Sequence, residues 1–159
     1  MPKNPFTGGD AKSNDTSTWS DFHTAVNAVK KYNFDGIGIQ LADGIFGIDL
    51  DGVVKDGKFS KVALDIIHTM DSYTEYSPSG TGIHILCKGT IPPKDRRNGN
   101  VEMYSEGRFF TVTGKVLGSK NLLQERTAQA KEVHKKYISR VTKSKENQSA
   151  LPPTDTELL

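Results

Sequence analysis

The sequence predicts an α+β fold, a mostly antiparallel sheet of five or six strands flanked by helices. Three observations carry this expectation. Short apolar runs of strand length recur at 36–41, 45–50, 73–76, 83–88, 101–104 and 109–113. Between and beyond them lie segments with apolar residues at helical spacing. Helices mixed with strands, without internal repeats, fit one α+β layer arrangement.

Residues 1–17 are rich in Gly, Asn, Ser, Asp and Lys and read as an irregular arm. Thr18 has the character of a helix N-cap, with Asp21 at the capping-box position. Trp19, Phe22, Val26 and Val29 then follow at helical spacing as far as Tyr32. The runs 36–41 and 45–50 are joined by Ala42-Asp43-Gly44, a hairpin signal. Ser60 is expected to cap a helix carrying Val62, Ala63, Ile66, Ile67 and Met70 on its inner face. Residues 89–99 read as a loop, and a basic helix is expected from about Leu122 to Val141. The expected organisation is an arm at 1–17, a folded domain over 18–141, and a linker with the start of a further module at 142–159.

At 159 residues the chain suffices for one well-cored domain. No apolar run approaches the roughly 20 residues that span a bilayer, and no signal-peptide core is present. The single cysteine, Cys87, excludes an internal disulfide and a cysteine zinc cage, so a cytoplasmic setting is expected. Cys87 lies in an apolar run and reads as core. Charge is unevenly spread. Residues 1–89 hold 8 Lys and Arg against 11 Asp and Glu, whereas residues 90–150 hold 13 against 6. Such asymmetry suits a protein holding cations in one place and phosphates in another, though ordinary solvated faces account for it equally well.

Asp49 and Asp51 stand two apart at the end of a strand with Ile48 and Leu50 between and before them. Period-two geometry puts both carboxylates on one face. Adjacent carboxylates repel and call for a cation, typically a hard divalent one. Glu102 shows the same parity, with Val101 and Met103 facing the other way, and a third carboxylate would complete a site for two cations. The segment Ser77-Pro78-Ser79-Gly80-Thr81-Gly82 is expected to leave N–H and O–H donors unpaired, as phosphate-binding nests do. His84, alternating with Ile83 and Ile85, then faces away from the core beside those donors. His23, His68 and His134 read as surface residues. Lys94, Arg96 and Arg97 crowd one loop, and Arg108 opens the last strand between a glycine and two aromatics.

Six segments together carry a family resemblance. They are Thr18-Trp19-Ser20, Phe34–Gly38, Gly47-Ile48-Asp49-Leu50-Asp51, Tyr76–His84, Val101-Glu102-Met103-Tyr104 and Gly107–Gly114. In this order they resemble the primase–polymerase domain of phage and plasmid replication proteins, within the archaeo-eukaryotic primase superfamily, over about residues 2–120. The resemblance implies an RRM-like core and a DNA primase or polymerase with Asp49, Asp51, His84 and Glu102 as its catalytic residues. It implies two Mg²⁺ or Mn²⁺ ions at Asp49, Asp51 and Glu102. The incoming nucleoside triphosphate would lie against Ser77, Ser79, Gly80, Thr81, Gly82, His84 and Arg108. Many superfamily members have Asp where this chain has Glu102, and some carry a zinc-binding stem for which this chain lacks the cysteines. Expected partners are a single-stranded DNA template and a primer–template, contacted by Arg96 and Arg97, with Tyr104 and Phe109 beside the sugar. Leu151–Leu159 resembles the start of the helical module that often precedes a helicase domain in such proteins. A metal-dependent nuclease and a non-catalytic DNA- or origin-binding module are the rival readings.

Overall fold

The computed structural model describes residues 1–139, so the expectations for the linker and the further module lie outside the described residues, while the basic helix ends at Ile138 with Ser139 extended, short of the expected Val141. The strands are β1 (Ile37–Gln40), β2 (Ile45–Leu50), β3 (Val54–Lys55), β4 (Lys58–Phe59), β5 (Tyr73–Tyr76), β6 (Ile83–Lys88), β7 (Arg97–Asn98), β8 (Val101–Tyr104), β9 (Phe109–Val112), β10 (Val116–Leu117) and β11 (Gln124–Glu125). The α-helices are α1 (Phe22–Tyr32), α2 (Lys61–Met70) and α3 (Thr127–Val133), and α3 runs on into a π-helical turn, His134–Ile138. The fold is α+β, as expected.

The main sheet has the order β10-β5-β6-β2-β8-β7, with β11 added in parallel beside β6. All its other pairings are antiparallel. One face meets α2 and α3. There Phe46, Ile48 and Leu50 of β2, Ile83, Ile85 and Cys87 of β6, and Val101 and Met103 of β8 form a continuous core with Ala63, Ile66 and Met70. Burying such side chains is worth about 1.5–3 kcal/mol each, and this layer supplies most of the drive to fold. Cys87 is buried, as read.

Several local expectations change. The 36–41 and 45–50 runs are strands joined by a true turn, in which Asp43 and Gly44 both take positive φ. They do not form a hairpin. Both edges of β2 are occupied, by β6 and β8, so the chain crosses to a second layer and β1 pairs with β9 instead. This two-stranded ribbon covers the sheet face opposite the helices, with Phe110 packed against Leu41 and Leu86. Gly47 makes this possible, because a Cβ there would lie 2.5 Å from the Phe110 ring.

Helix α1 is capped by Asp21, which accepts from the Thr24 N–H at 2.7 Å, and not by Thr18. Thr18 closes a 3₁₀ turn at Thr16–Thr18 and, with the Trp19 indole donating to the Lys12 carbonyl, ties down the irregular arm. Trp19 therefore lies outside the helix and Phe22 is exposed. Ser60 does cap α2, but Val62 points outward. The expected start of the basic helix at Leu122 is too early, because Gln124 and Glu125 first pair with β6. His134 is buried rather than on the surface, with Nε2 donating to the Lys94 and Asp95 carbonyls. It fastens the 89–99 loop to the helical layer.

Gly47→Ala is expected to destabilise the domain by about 1–3 kcal/mol through overpacking. Combining it with Phe110→Leu is expected to cost less than the two changes summed, as measured by a double-mutant cycle in urea.

Candidate active site

The ribbon-covered face of the main sheet carries a transverse row of ionisable residues. Strand register sets Arg97 opposite Glu102, Glu102 opposite Asp49, Asp49 opposite His84, and His84 opposite Glu75. Side chains directly opposite one another on neighbouring strands share a face and stand within reach of each other. Five adjacent strands thus contribute one group each. Asp51 follows just past the end of β2, its N–H donating to the Asn100 carbonyl while the Asn100 amide donates to its own.

Asp49, Asp51 and Glu102 converge. One carboxylate oxygen from each lies within 4.8 Å of the others. Burial pushes the Asp49 carboxyl up to about 7, aided by the charges of Asp51 and Glu102. Its Oδ1 is buried with no hydrogen-bond partner, and His84 Nε2 stands 3.6 Å away. The other imidazole nitrogen, Nδ1, lies 3.2 Å from the Thr111 carbonyl, which can only accept, so Nδ1 carries the hydrogen. In the neutral ring Nε2 is then an acceptor, and it faces another acceptor whenever Asp49 is ionised. Burial pulls His84 below its ordinary pKa, against the Thr111 carbonyl and the nearby carboxylates Glu75 and Asp51, which favour the charged ring. An orphaned carboxylate oxygen among three carboxylates fits a divalent cation by its donor chemistry.

No protein-family model matches the chain. Among curated proteins it is similar to the DNA primase-polymerase of Nitratiruptor phage NrS-1, 33% identical over 135 residues. The match takes in 79% of this chain. The chain carries a primase–polymerase domain. It spans 19% of the length of the phage protein.

Within this primase–polymerase domain the other sequence-predicted residues divide. Arg108 lies over the Tyr104 ring at 4.2 Å and donates to its hydroxyl at 2.9 Å, while Tyr104 in turn reaches Glu102 at 3.4 Å. Phe109 instead lines a cleft of about 460 Å³ with Arg108, Gly107 and Lys12 of the arm. Tyr104 and Phe109 thus serve different surroundings. Arg97 meets Glu102 at 3.4 Å and joins the row. Arg96 does not. It is half-buried and donates to the Pro92 carbonyl within its own loop. His23 and His68 are exposed, as read.

The loop before His84 differs from expectation. The N–H groups of Ser77, Gly80, Thr81 and Gly82 are all bonded inside the loop, to Gly82 O, Ser77 O, Ser79 Oγ and Ser77 Oγ. A turn this tight places each donor beside a neighbour's oxygen, so the backbone does not form an open nest. What remains is a chain of three hydroxyls, Ser77–Ser79–Thr81, at 3.1 and 2.9 Å, whose protons can rotate. Gly82 is required for space, since a Cβ would come within 2.8 Å of both the Leu50 carbonyl and Ser77 Oγ.

Two contributors escaped the sequence reading. Asn100 shows no signal beyond its type. Glu75 does, because it shares the parity of Tyr73 within a strand and stands two residues before the Ser77 loop.

Folded Asp49 holds its proton up to about 7, whereas the unfolded chain releases it near 3.8. The folded state therefore binds more protons between these values, and stability falls as pH rises through that window. Asp49→Asn is expected to raise the melting temperature at pH 8, by ~2–4 °C for each kcal/mol of repulsion and desolvation removed, and to have little effect below pH 4. Thermal melts of both proteins across this range check it.

Proposed function

We propose that the domain is a template-directed nucleotidyltransferase that extends a primer in phage or plasmid replication, and that it works as part of a larger replication protein. The observation that carries this reading is the convergence of Asp49, Asp51 and Glu102 around an orphaned carboxylate oxygen beside His84, in a chain similar to a phage DNA primase-polymerase. Asp49, Asp51 and Glu102 would hold two divalent ions, Mg²⁺ or Mn²⁺, which when bound activate the primer 3′-hydroxyl and neutralise the triphosphate.

The protein's own groups do the positioning. The neutral His84 ring keeps Nδ1–H on the Thr111 carbonyl and directs Nε2 into the site, where on protonation it donates to a phosphate oxygen. The Ser77, Ser79 and Thr81 hydroxyls turn their protons outward to the β- and γ-phosphates, which spreads leaving-group charge over several donors. Arg108, held over Tyr104, supplies a further cation, and Tyr104 bounds the sugar. No nucleophilic side chain is needed, because the attacking group belongs to the primer. The natural setting is the cytoplasm of a host cell, with a single-stranded template and a downstream helical module and helicase as partners.

A labelled primer–template incubated with Mg²⁺ or Mn²⁺, with and without nucleoside triphosphates, tests the reaction. Nucleotide-dependent lengthening is expected, and shortening without nucleotides would assign a nuclease instead. Asp49→Ala is expected to lower extension at least about 100-fold, the scale on which a few kcal/mol of transition-state stabilisation is lost. His84→Ala is expected to weaken nucleotide binding about tenfold, as loss of one charge-assisted contact does, with DNA affinity unchanged.

DNA contact is assigned to Arg97 and Arg108, through phosphate neutralisation. Binding to single strands is expected to weaken with salt, and Arg97→Ala to lower the slope of log K against log salt by about 0.7. Arg96→Ala is expected to leave that slope unchanged and to reduce stability instead, since its guanidinium holds the Pro92 carbonyl. Fluorescence anisotropy over a salt series separates the two arginines.

A further inference from the structure

Glu75 is 1% exposed, the most deeply buried charged side chain among the described residues. Its carboxylate takes three hydrogen bonds. Oε1 accepts from the Thr113 N–H at 2.8 Å, and Oε2 accepts from the Gly114 N–H at 3.0 Å and the Tyr73 hydroxyl at 2.7 Å. No Lys or Arg pairs with it among the described residues. All three partners are donors, so the site calls for a group that only accepts, and an amide of the same shape would set N–H against N–H.

The segment that Glu75 grips, Thr113–Gly114, directly follows β9. This strand pairs with β1 and has no ladder to the main sheet. Just beyond it the backbone joins that sheet, through the Tyr76 N–H on the Lys115 carbonyl and the β10–β5 ladder, and side chains hold the strand itself. Phe110 packs over Gly47, the Thr113 hydroxyl donates to the Tyr76 carbonyl at 2.6 Å, and Glu75 holds the two N–H groups that follow. Two residues before Thr113, the Thr111 carbonyl accepts from His84 Nδ1. Glu75 and His84 are also direct cross-strand neighbours. The carboxylate thus reaches the imidazole by two routes, its own charge and the backbone it bonds.

We propose that Glu75 is a positioning residue for His84, clamping Thr113 and Gly114 so that the Thr111 carbonyl holds the ring with Nδ1 protonated and Nε2 turned toward Asp49. The catalytic consequence, tighter nucleotide binding, rests on the reading that His84 meets the triphosphate. Supporting partners of this kind cost about 10–100-fold in affinity or activity when lost.

The test is nitrogen NMR of the full chain with ring-labelled histidine and no added metal, the His84 signals being assigned by their loss in His84→Ala. The expected result is a neutral wild-type ring protonated at Nδ1, opposite to the form that free histidine favours in water. In Glu75→Gln the ring signals are expected to shift toward Nε2 protonation, and affinity for a deoxynucleoside triphosphate to fall about 10–100-fold with DNA affinity unchanged. A wild-type ring protonated at Nε2, or a folded Glu75→Gln protein whose ring signals do not move, overturns the proposal. A shifted ring with unchanged nucleotide affinity upholds the positioning role and overturns the triphosphate reading of His84. If Glu75→Gln does not fold, Tyr73→Phe removes one of the three donors to the same carboxylate. Movement of the His84 signals there supports the clamp, and unmoved signals overturn it.

Discussion

Three carboxylates held together on a sheet surface are the constraint from which the rest of this structure follows. Asp49 occupies the central strand β2, and its neighbours on β8 and β6 are Glu102 and His84. None of these can move away, because strand pairing fixes the backbone and the alternate residues are locked into the core. A like-charge cluster therefore persists only as far as the opposite face stabilises it. Ile48, Leu50, Ile85 and Met103, all fully buried, lie on the very strands that carry Asp49, His84 and Glu102. The apolar face fixes the register, and the register brings the charges together.

The second layer serves the same end. The β1–β9 ribbon lies over the middle of the sheet, where it keeps water from one side of His84, with Phe110 at 4.8 Å from the imidazole centre. A histidine so enclosed loses the solvation that would favour its charged form, while Asp49 beside it is pushed the opposite way. Two adjacent groups with pKa values moved toward each other are a common mark of a working site. Here the cause can be named: burial comes first for both, and the ribbon is what buries His84.

What was legible in the sequence was legible through period-two parity. Asp49, Glu102 and His84 each alternate with aliphatic residues, and that alternation alone places them on the face away from the core. Their convergence depended on pairing order, which parity does not contain. The turn Ala42-Asp43-Gly44 shows the limit. Its chemistry was read correctly, but whether a turn joins paired strands depends on which strands already occupy the edges of β2. Glu75 was passed over for a related reason. Two of its three partners are backbone N–H groups nearly forty residues away, and no local pattern announces those. His134 likewise looked like one more polar residue on a basic helix until the 89–99 loop supplied two carbonyls to its ring.

A cation bound among these carboxylates would couple its affinity to the stability of the fold. Whatever repulsion and desolvation Asp49 suffers in the folded domain is a cost that the unfolded chain does not bear. A cation that relieves it binds the folded state and not the unfolded one, and so stabilises the fold. The converse also holds. If the acids were spread apart to relieve the strain, the site would lose the part of its affinity that arises from that relief. A rigid sheet is suited to this arrangement, since it prevents the side chains from separating when no cation is present. The same rigidity extends along the row to His84 and Glu75, so the proposed nucleotide side of the site and the proposed cation side are held by one set of strand pairings. In the proposed reaction the groups that act on a single phosphate would thereby be placed in advance, and alignment would cost little.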